Sequence, residues 1–555
     1  MPERKSRSTV LVIGGGINGI GVFRELVLQG VEVLLVDRGD FASGATAASS
    51  HMVHGGIRYL ENGELRLVRE SVVERNRLLR VAPHRVTPLE TTIPIFSTFS
   101  GLLTAPLRLL THRAPARPRE RGALLIKIGL VIYDTFSRDG GTVPRHRIHG
   151  RRRSLAELPR LNPNVRYTAT YYDASMDQPE RLALDVLGDA LAVGPHARAL
   201  NYTEAVGMDE SGVRLRDLES GREWHVTPDV VINASGPWTD LTNEALGRPT
   251  AYLGGTKGSH VVLDDPELLA ATGGREIFFE NNDGRIVLIY PINGRVLVGT
   301  TDLEADPREP VVCTDAEVDY FADLVRTVFP DLELRRDRIV YSYSGIRPLP
   351  HHADLAPGLV SRDYRIEMNR DGKLGIPTFS LIGGKWTTFR AVAEHLGDTV
   401  LTLLGTRRRQ STANLPIGGG AGFPAAADRA AWCERELPGI AAPRADLLLS
   451  RYGTRAALIL PYLVDDQPLL GDELSTGELR FLVEHEWVKH LDDVVFRRTT
   501  LAFRGLLEPA AVERIGAALA AIVGWDDHRR QAEVDATLEK LRVAQSPSGV
   551  RPIAG

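Results

Sequence analysis

Cysteine is almost absent: 2 residues in 555, Cys313 and Cys433, far apart in the chain. That excludes a disulfide framework and a cysteine-built metal centre, so no metal site is expected and a reducing, cytoplasmic compartment fits best. Long apolar runs are lacking as well. A membrane-spanning helix needs roughly 18 or more apolar residues in succession, whereas the nearest candidate, Ala123 to Ile132, is short and carries Lys127. Neither sign of charge dominates: 67 basic against 71 acidic residues leave a net charge of -4, too small a positive field for a general nucleic-acid binder. There is no repeat of solenoid period and no long low-complexity tract. The basic start, Met1 to Arg7, runs through a short apolar stretch straight into a glycine motif, which reads as a first strand rather than a signal peptide. At 555 residues the chain exceeds one ordinary core, so several units are expected.

What is present is concentrated at the start. Thr9 to Ile13 is a β-prone apolar run that enters Gly14-x-Gly16-x-x-Gly19; a helix-length segment follows, and a second apolar run ends on Asp37. This is the order of a dinucleotide-binding βαβ unit. Gly14 permits a tight turn, Gly16 lets the backbone approach a pyrophosphate at a helix N-terminus, and Gly19 lets that helix pack on its strand. Asp37 would accept hydrogen bonds from an adenosine ribose. Two further glycine sites favour FAD over a nicotinamide. One is Asp229 to Trp238, a strand ending in Ala234-Ser235-Gly236; the other is Leu381 to Thr388, where Gly383 and Gly384 open a helix whose amides suit a reduced flavin's pyrimidine edge. The small and hydroxyl residues from Gly39 to Ser50 suit an extended cofactor. A glycine-rich, polar stretch between Leu404 and Pro424 separates this α/β and α+β body from a region, Arg444 to Leu541, with mainly helical spacing.

Several motifs together resemble the FAD-dependent glycerol-3-phosphate dehydrogenase family. They are Gly14 to Gly21 (GGGINGIG), Asp40 to Gly44 (DFASG), Ser49-Ser50, His54 to Glu61 (HGGIRYLE), Arg66 to Glu70 (RLVRE) and Ala82 to His84. Further on come Lys257 to His260 (KGSH), Gly299 to Asp302 (GTTD), Tyr343 to Pro348 (YSGIRP), Ser361 to Tyr364 (SRDY) and Gly383 to Lys385. In the C-terminal region Tyr452-Gly453, His485 to Val488, Leu491 to Val494 and Arg497 to Thr499 look like that family's helical cap. The resemblance implies a Rossmann-like FAD-binding domain (segments about 1–95, 185–255 and 355–402) interleaved with a mixed-sheet substrate domain (about 96–184 and 256–354). A linker at 406–424 and a helical cap at 425–555 complete the expected layout.

The same resemblance assigns cofactor contacts to Gly14, Gly15, Gly16, Asn18, Gly19, Asp37, Arg38, Ser43, Ser49, Ser50, His54, Gly55, Gly56, Thr203, Ala234, Ser235, Gly236, Gly383, Gly384, Lys385 and Thr387. It implies oxidation of sn-glycerol 3-phosphate to dihydroxyacetone phosphate by hydride transfer from C2 to flavin N5. His260, expected at the start of a strand, would take the hydroxyl proton. Arg347 and Arg362 would hold the phosphate, Arg58 and Tyr59 would reach the substrate, and Lys385 would place positive charge near the ring. Electrons would pass to a membrane quinone, or to oxygen in an oxidase, and a homodimer is the expected assembly. A third reading is a non-catalytic flavin-binding protein at the membrane. His51, Trp386 and Asp177 to Arg181 depart from the family pattern, which bears on the substrate.

Residues 101–132 join Leu102, Leu103, Leu107, Leu109 and Leu110 to Arg113, Arg117, Arg119 and Arg121 ahead of Leu124 to Ile128, with Arg145, Arg147 and Arg151 to Arg153 beyond. Leucines followed by clustered cations suit docking on an anionic bilayer surface, or a hairpin with a buried leucine face.

Overall fold

A computed structural model describes residues 7–60, 63–97, 123–138, 143–280, 286–351, 363–370 and 375–546. Arg362, the Arg58 side chain and the leucine- and arginine-rich residues 101–122 lie outside the described residues. The opening βαβ forms as its pattern predicts. β1 (Arg7–Ile13) and β2 (Val33–Val36) pair in parallel, Val10 beside Val33 and Ile13 beside Val36, with α1 (Ile17–Leu28) between them. Val10, Leu11 and Val12 are fully buried, as a parallel strand covered on both faces requires.

The other side of β1 pairs in parallel with strand Glu223–Asn233, which takes Thr378–Ile382 beside it, while Ala197–Leu200 flanks β2. Three glycine turns far apart in sequence therefore leave the same edge of one sheet. Ligands of such sheets bind at the carboxyl ends of the strands.

The second sheet is mixed. Its strand Thr256–Leu263 lies between Arg295–Gly299 and Ile339–Arg347. Beyond Arg295–Gly299 come Ile286–Ile292, Glu276–Glu280, Val86–Ile95, Tyr167–Met176 and Met52–Val53. Here the expected boundary changes. Met52–Val53 and Val86–Ile95 were expected in the FAD-binding segment 1–95, yet both pair with Tyr167–Met176 in the second sheet. Their apolar residues do not name a partner strand; two antiparallel pairs join Met52–Val53 to Tyr167–Met176, and a ten-pair antiparallel register joins Val86–Ile95 to it.

The C-terminal region is helical, built from Arg429–Glu436, Ala442–Tyr452, Thr476–His485, Pro509–Val523 and Asp527–Gln545. It has its own core, with Leu448, Leu449, Leu482, Leu491, Ile515 and Leu519 fully buried. The segment expected as a linker is strapped down. Thr412 Oγ1 donates to Glu25 at 2.8 Å, Arg408 pairs with the same carboxylate, and the N–H groups of Arg409 and Gln410 donate to Gln29 Oε1 at 2.7 and 3.1 Å.

Candidate active site

A cavity of about 610 Å³ opens where the strand ends of the first sheet face the second. One end is lined by Asp37, Arg38 and Thr203. The wall then passes Gly14, Gly16, Asn18, Ser43, Ser49, Ser50 and Ala234 to Gly236, and reaches Gly383, Gly384, Lys385, His54, Tyr59, His260 and Arg347. Gly14 has φ +110°, and an added Cβ would overlap the Ala234 carbonyl, so the turn admits only glycine. Asp37 accepts the Gly15 N–H at 2.6 Å on one oxygen and the Gly39 N–H at 2.8 Å on the other. Burial pushes its carboxyl up to about 6 against the pull of these two bonds.

Five expected cofactor residues stand behind this wall rather than on it. Gly15 orients Asp37, and Gly19 leaves no room for a Cβ against the Gly14 carbonyl. Gly55 donates to Asp173 Oδ1 at 2.9 Å, Gly56 takes φ +75° beneath Tyr59, and Thr387 Oγ1 donates to the His54 carbonyl at 3.2 Å. Arg38 lies over the Trp238 ring, 5.3 Å from its centroid.

At the other end His260 sits in the middle of strand Thr256–Leu263, not at its start, opposite Gly299 on one neighbour and Tyr343 on the other. Its ring stacks on Tyr343, centroids 4.8 Å apart and planes at 14°, and an added Cβ at Gly299 would overlap it. His260 Nε2 is 2.8 Å from Ser50 Oγ, while Nδ1 is buried with no hydrogen-bond partner. Burial first, then the nearby Arg347 and His51, hold this imidazole well below its ordinary pKa. It is neutral at physiological pH.

Arg347 is anchored. It donates to Asp302 Oδ1 at 2.9 Å, Thr300 Oγ1 at 2.8 Å and the Thr301 carbonyl at 2.9 Å. Gly258, on the adjacent strand, leaves the space its guanidinium occupies. Lys385 Nζ donates to Ser71 Oγ at 2.9 Å and lies 4.8 Å from the Tyr59 ring centroid.

Sequence reasoning missed Gly258, Gly299, Asp302, Tyr343 and Ser71 as parts of this site. Gly258 falls in the KGSH motif, Gly299 and Asp302 in GTTD and Tyr343 in YSGIRP, the signal available for these four. It also missed the support under Gly55, where buried Arg75 donates to Asp173 at 3.0 Å. Of the three departures from the family pattern, Trp386 lines the cavity. His51 packs under Phe503, centroids 4.9 Å apart, and Arg181 pairs with Glu486 of the C-terminal region. Both reach the cap, and His51 also lies close enough to His260 to disfavour its protonation.

The FAD dependent oxidoreductase family model matches residues 9–365, and that for the C-terminal domain of alpha-glycerophosphate oxidase matches residues 410–530. Glycerol-3-phosphate dehydrogenase of Synechocystis sp. is 34% identical, over 89% of this chain and 88% of that protein. Aerobic glycerol-3-phosphate dehydrogenase of Escherichia coli is 31% identical, over 88% and 93%. D-erythritol 1-phosphate dehydrogenase of Brucella abortus is 31% identical, over 94% and 97%. The solved structure of glycerol-3-phosphate dehydrogenase from Bacillus halodurans complexed with FAD matches with a TM-score of 0.76 at 25% identity, over 98% of this chain and 96% of that one.

Glycine turns at the carboxyl ends of one parallel sheet, facing a second sheet that carries a buried histidine and an anchored arginine, make this chain an FAD-dependent oxidoreductase. Within that class it belongs to the FAD-dependent glycerol-3-phosphate dehydrogenase family, the C-terminal helical domain included.

Proposed function

We propose that this protein oxidises sn-glycerol 3-phosphate to dihydroxyacetone phosphate, with a membrane quinone as the onward electron acceptor. The observation that carries the reading is that one cavity joins the dinucleotide end at Asp37 to His260, Arg347 and Lys385. Two buried polar atoms of its lining residues, Asn18 Oδ1 and Trp386 Nε1, have no protein partner, which fits a bound group rich in hydrogen-bonding atoms. Asp37 and Thr203 would hold the ribose end, Gly16 and the start of α1 the phosphates, and Gly383 and Gly384 the ring end. Bound FAD supplies a two-electron hydride acceptor.

The chain's own residues do the rest. Neutral His260 accepts the substrate's hydroxyl proton, and Arg347 with Arg362 and Lys385 takes the phosphate. Asp302 already offsets Arg347, so one guanidinium does not suffice for a dianion. A phosphate beside Arg347 would also relieve the charge that depresses His260, strengthening the base once substrate is seated.

Helix Ala123–Ser137 supports membrane contact. It exposes Leu124, Ile128 and Val131 (42, 48 and 49% exposed) at helical spacing on one side. His146, 2.7 Å from Asp134, ties it to the strand bearing exposed Arg147 and to Arg151 to Arg153. No helix among the described residues is long and apolar enough to cross a membrane. Replacing Leu124, Ile128 and Val131 by Ser should abolish sedimentation with anionic vesicles.

The decisive experiment is anaerobic mixing with sn-glycerol 3-phosphate, which should bleach the flavin. The Brucella relative makes D-erythritol 1-phosphate the necessary rival substrate, and a higher kcat/KM for it would overturn the assignment. Reoxidation by a quinone analogue but not by air should follow; peroxide release would mark an oxidase.

A further inference from the structure

We propose that Glu317, which stands behind the cavity wall, is a positioning residue: by holding Thr301 it aims the Arg347 guanidinium and so sets the affinity for the substrate's phosphate. The inference deepens the assignment of Arg347 to the phosphate and rests on it.

Glu317 lies in the first turn of helix Asp315–Val328 and is 3% exposed. One of its oxygens caps that helix, accepting the Thr314 N–H at 2.9 Å and the Thr314 hydroxyl at 3.0 Å. Capping needs no more than this. The carboxylate nevertheless takes three further donors, each at 2.7 Å: Lys257 Nζ, Ser259 Oγ and Thr301 Oγ1. All three belong to the KGSH and GTTD motifs, which also supply Gly258 and the acceptors of Arg347. Burial raises the Glu317 carboxyl, but the bonds from Lys257, Ser259 and Thr301 outweigh it and hold the group below its ordinary pKa. It is ionised at neutral pH.

The path to Arg347 is short. Thr301 donates its hydroxyl hydrogen to Glu317 and accepts the Ser259 N–H at 2.9 Å, so one side chain ties the turn after strand Arg295–Gly299 to the strand that carries His260. The carbonyl of the same Thr301 takes Arg347 at 2.9 Å, between the Thr300 hydroxyl at 2.8 Å and Asp302 Oδ1 at 2.9 Å. The strand of Arg347 is tied in as well. Ser259 gives its hydroxyl hydrogen to Glu317, so the Ser344 hydroxyl donates to Ser259 Oγ at 2.6 Å. Three segments around the guanidinium therefore meet at one carboxylate.

A guanidinium binds phosphate through two parallel bonds, so its direction matters as much as its charge. Lys257 neutralises Glu317, and the clamp adds no net negative charge beside the phosphate. Removing the Thr301 hydroxyl frees the turn from both Glu317 and Ser259 while leaving its carbonyl on Arg347. The acceptors then shift together and the guanidinium turns with them. The loss falls on phosphate binding, because His260 keeps its register between Gly299 and Tyr343.

The test uses the FAD-loaded protein, with flavin content and Tm measured first. Glu317→Gln sets an amide NH2 among donors and is expected to lower Tm, whereas Thr301→Val keeps the shape of the site and removes only the hydroxyl. In both, KM for sn-glycerol 3-phosphate and the inhibition constant of inorganic phosphate should rise together by roughly 10-fold, the weight of one bond to a charged group, while kcat falls by less than about 3-fold. Thr301→Ser, which restores the hydroxyl, should recover both constants. A Thr301→Val protein with both constants unchanged, whatever its Tm, would overturn the proposal, as would a loss confined to kcat. Wild-type KM and phosphate inhibition in Arg347→Ala would instead remove the phosphate assignment on which the proposal rests.

Discussion

Asp37 combines burial with a task that requires charge. Its folded pKa, raised to about 6, lies above the ordinary carboxylate value. Its contribution to folding is therefore full below that ordinary range and is lost as pH rises through about 6. At neutral pH the empty protein carries a disfavoured carboxylate that ribose hydroxyls would relieve, so FAD should bind more weakly as pH falls below about 6. Titrating released-FAD fluorescence between about pH 5 and 8 should show this loss in the wild type and a flat response in Asp37→Asn. Identical curves would remove Asp37 from the ribose site. Gly299 and Gly258 make a second residue-level case. Gly299→Ala should push the His260 ring aside and lower the flavin reduction rate with FAD content intact. Gly258→Ala should displace Arg347 and raise KM for the phosphate substrate. The glycine turns at the strand ends were readable because turn, helix and strand lie together in sequence. These two were not, because the space they make depends on strand register.

The segment from Arg408 to Thr412 shows how an element can be misjudged from composition alone. Its run of polar and basic residues patterns as a tether, yet Arg408 and Thr412 share the buried Glu25 of α1, and Gln29 accepts two of its N–H groups. Glu25→Ala would strand Arg408 against the helix and should cost about 3 kcal/mol, as loss of one partner from a buried pair does, measured by urea unfolding. A change below about 1 kcal/mol would make the strap a surface ornament. The βαβ unit and the helical C-terminal region were readable because their periodicities are local. The membership of Met52–Val53 and Val86–Ile95 was not, since a strand's alternation names its buried face and leaves its neighbour open.

The cap and the cofactor domain are joined by charge at the loop that follows Asp37. Asp40 is buried and takes Arg498 through both oxygens, at 2.6 and 2.9 Å, and Arg497 at 2.5 Å, with Asn201 at 3.1 Å. These cations hold the Asp40 carboxyl far below its ordinary range despite burial. Its contribution to stability is thus present above the ordinary carboxylate range and is lost only as pH falls well below it. A second buried contact, Arg181 with Glu486, lies beside the first. The cap therefore braces the loop that carries Ser43, Ser49 and Ser50, and its loss should be felt at the flavin. Arg498→Met keeps the volume but leaves Asp40 short of a partner, and should cost about 3 kcal/mol while speeding FAD dissociation at pH 7. Arg455→Ala, which removes a partly exposed pair and leaves Asp189 with Arg24 as its partner, should cost no more than about 1 kcal/mol. Thermal unfolding followed through flavin fluorescence and through far-UV circular dichroism separates the two outcomes. In Arg498→Met the flavin should leave before the helices melt, whereas coincident transitions at the wild-type temperature would mean that the cap merely sits on the fold.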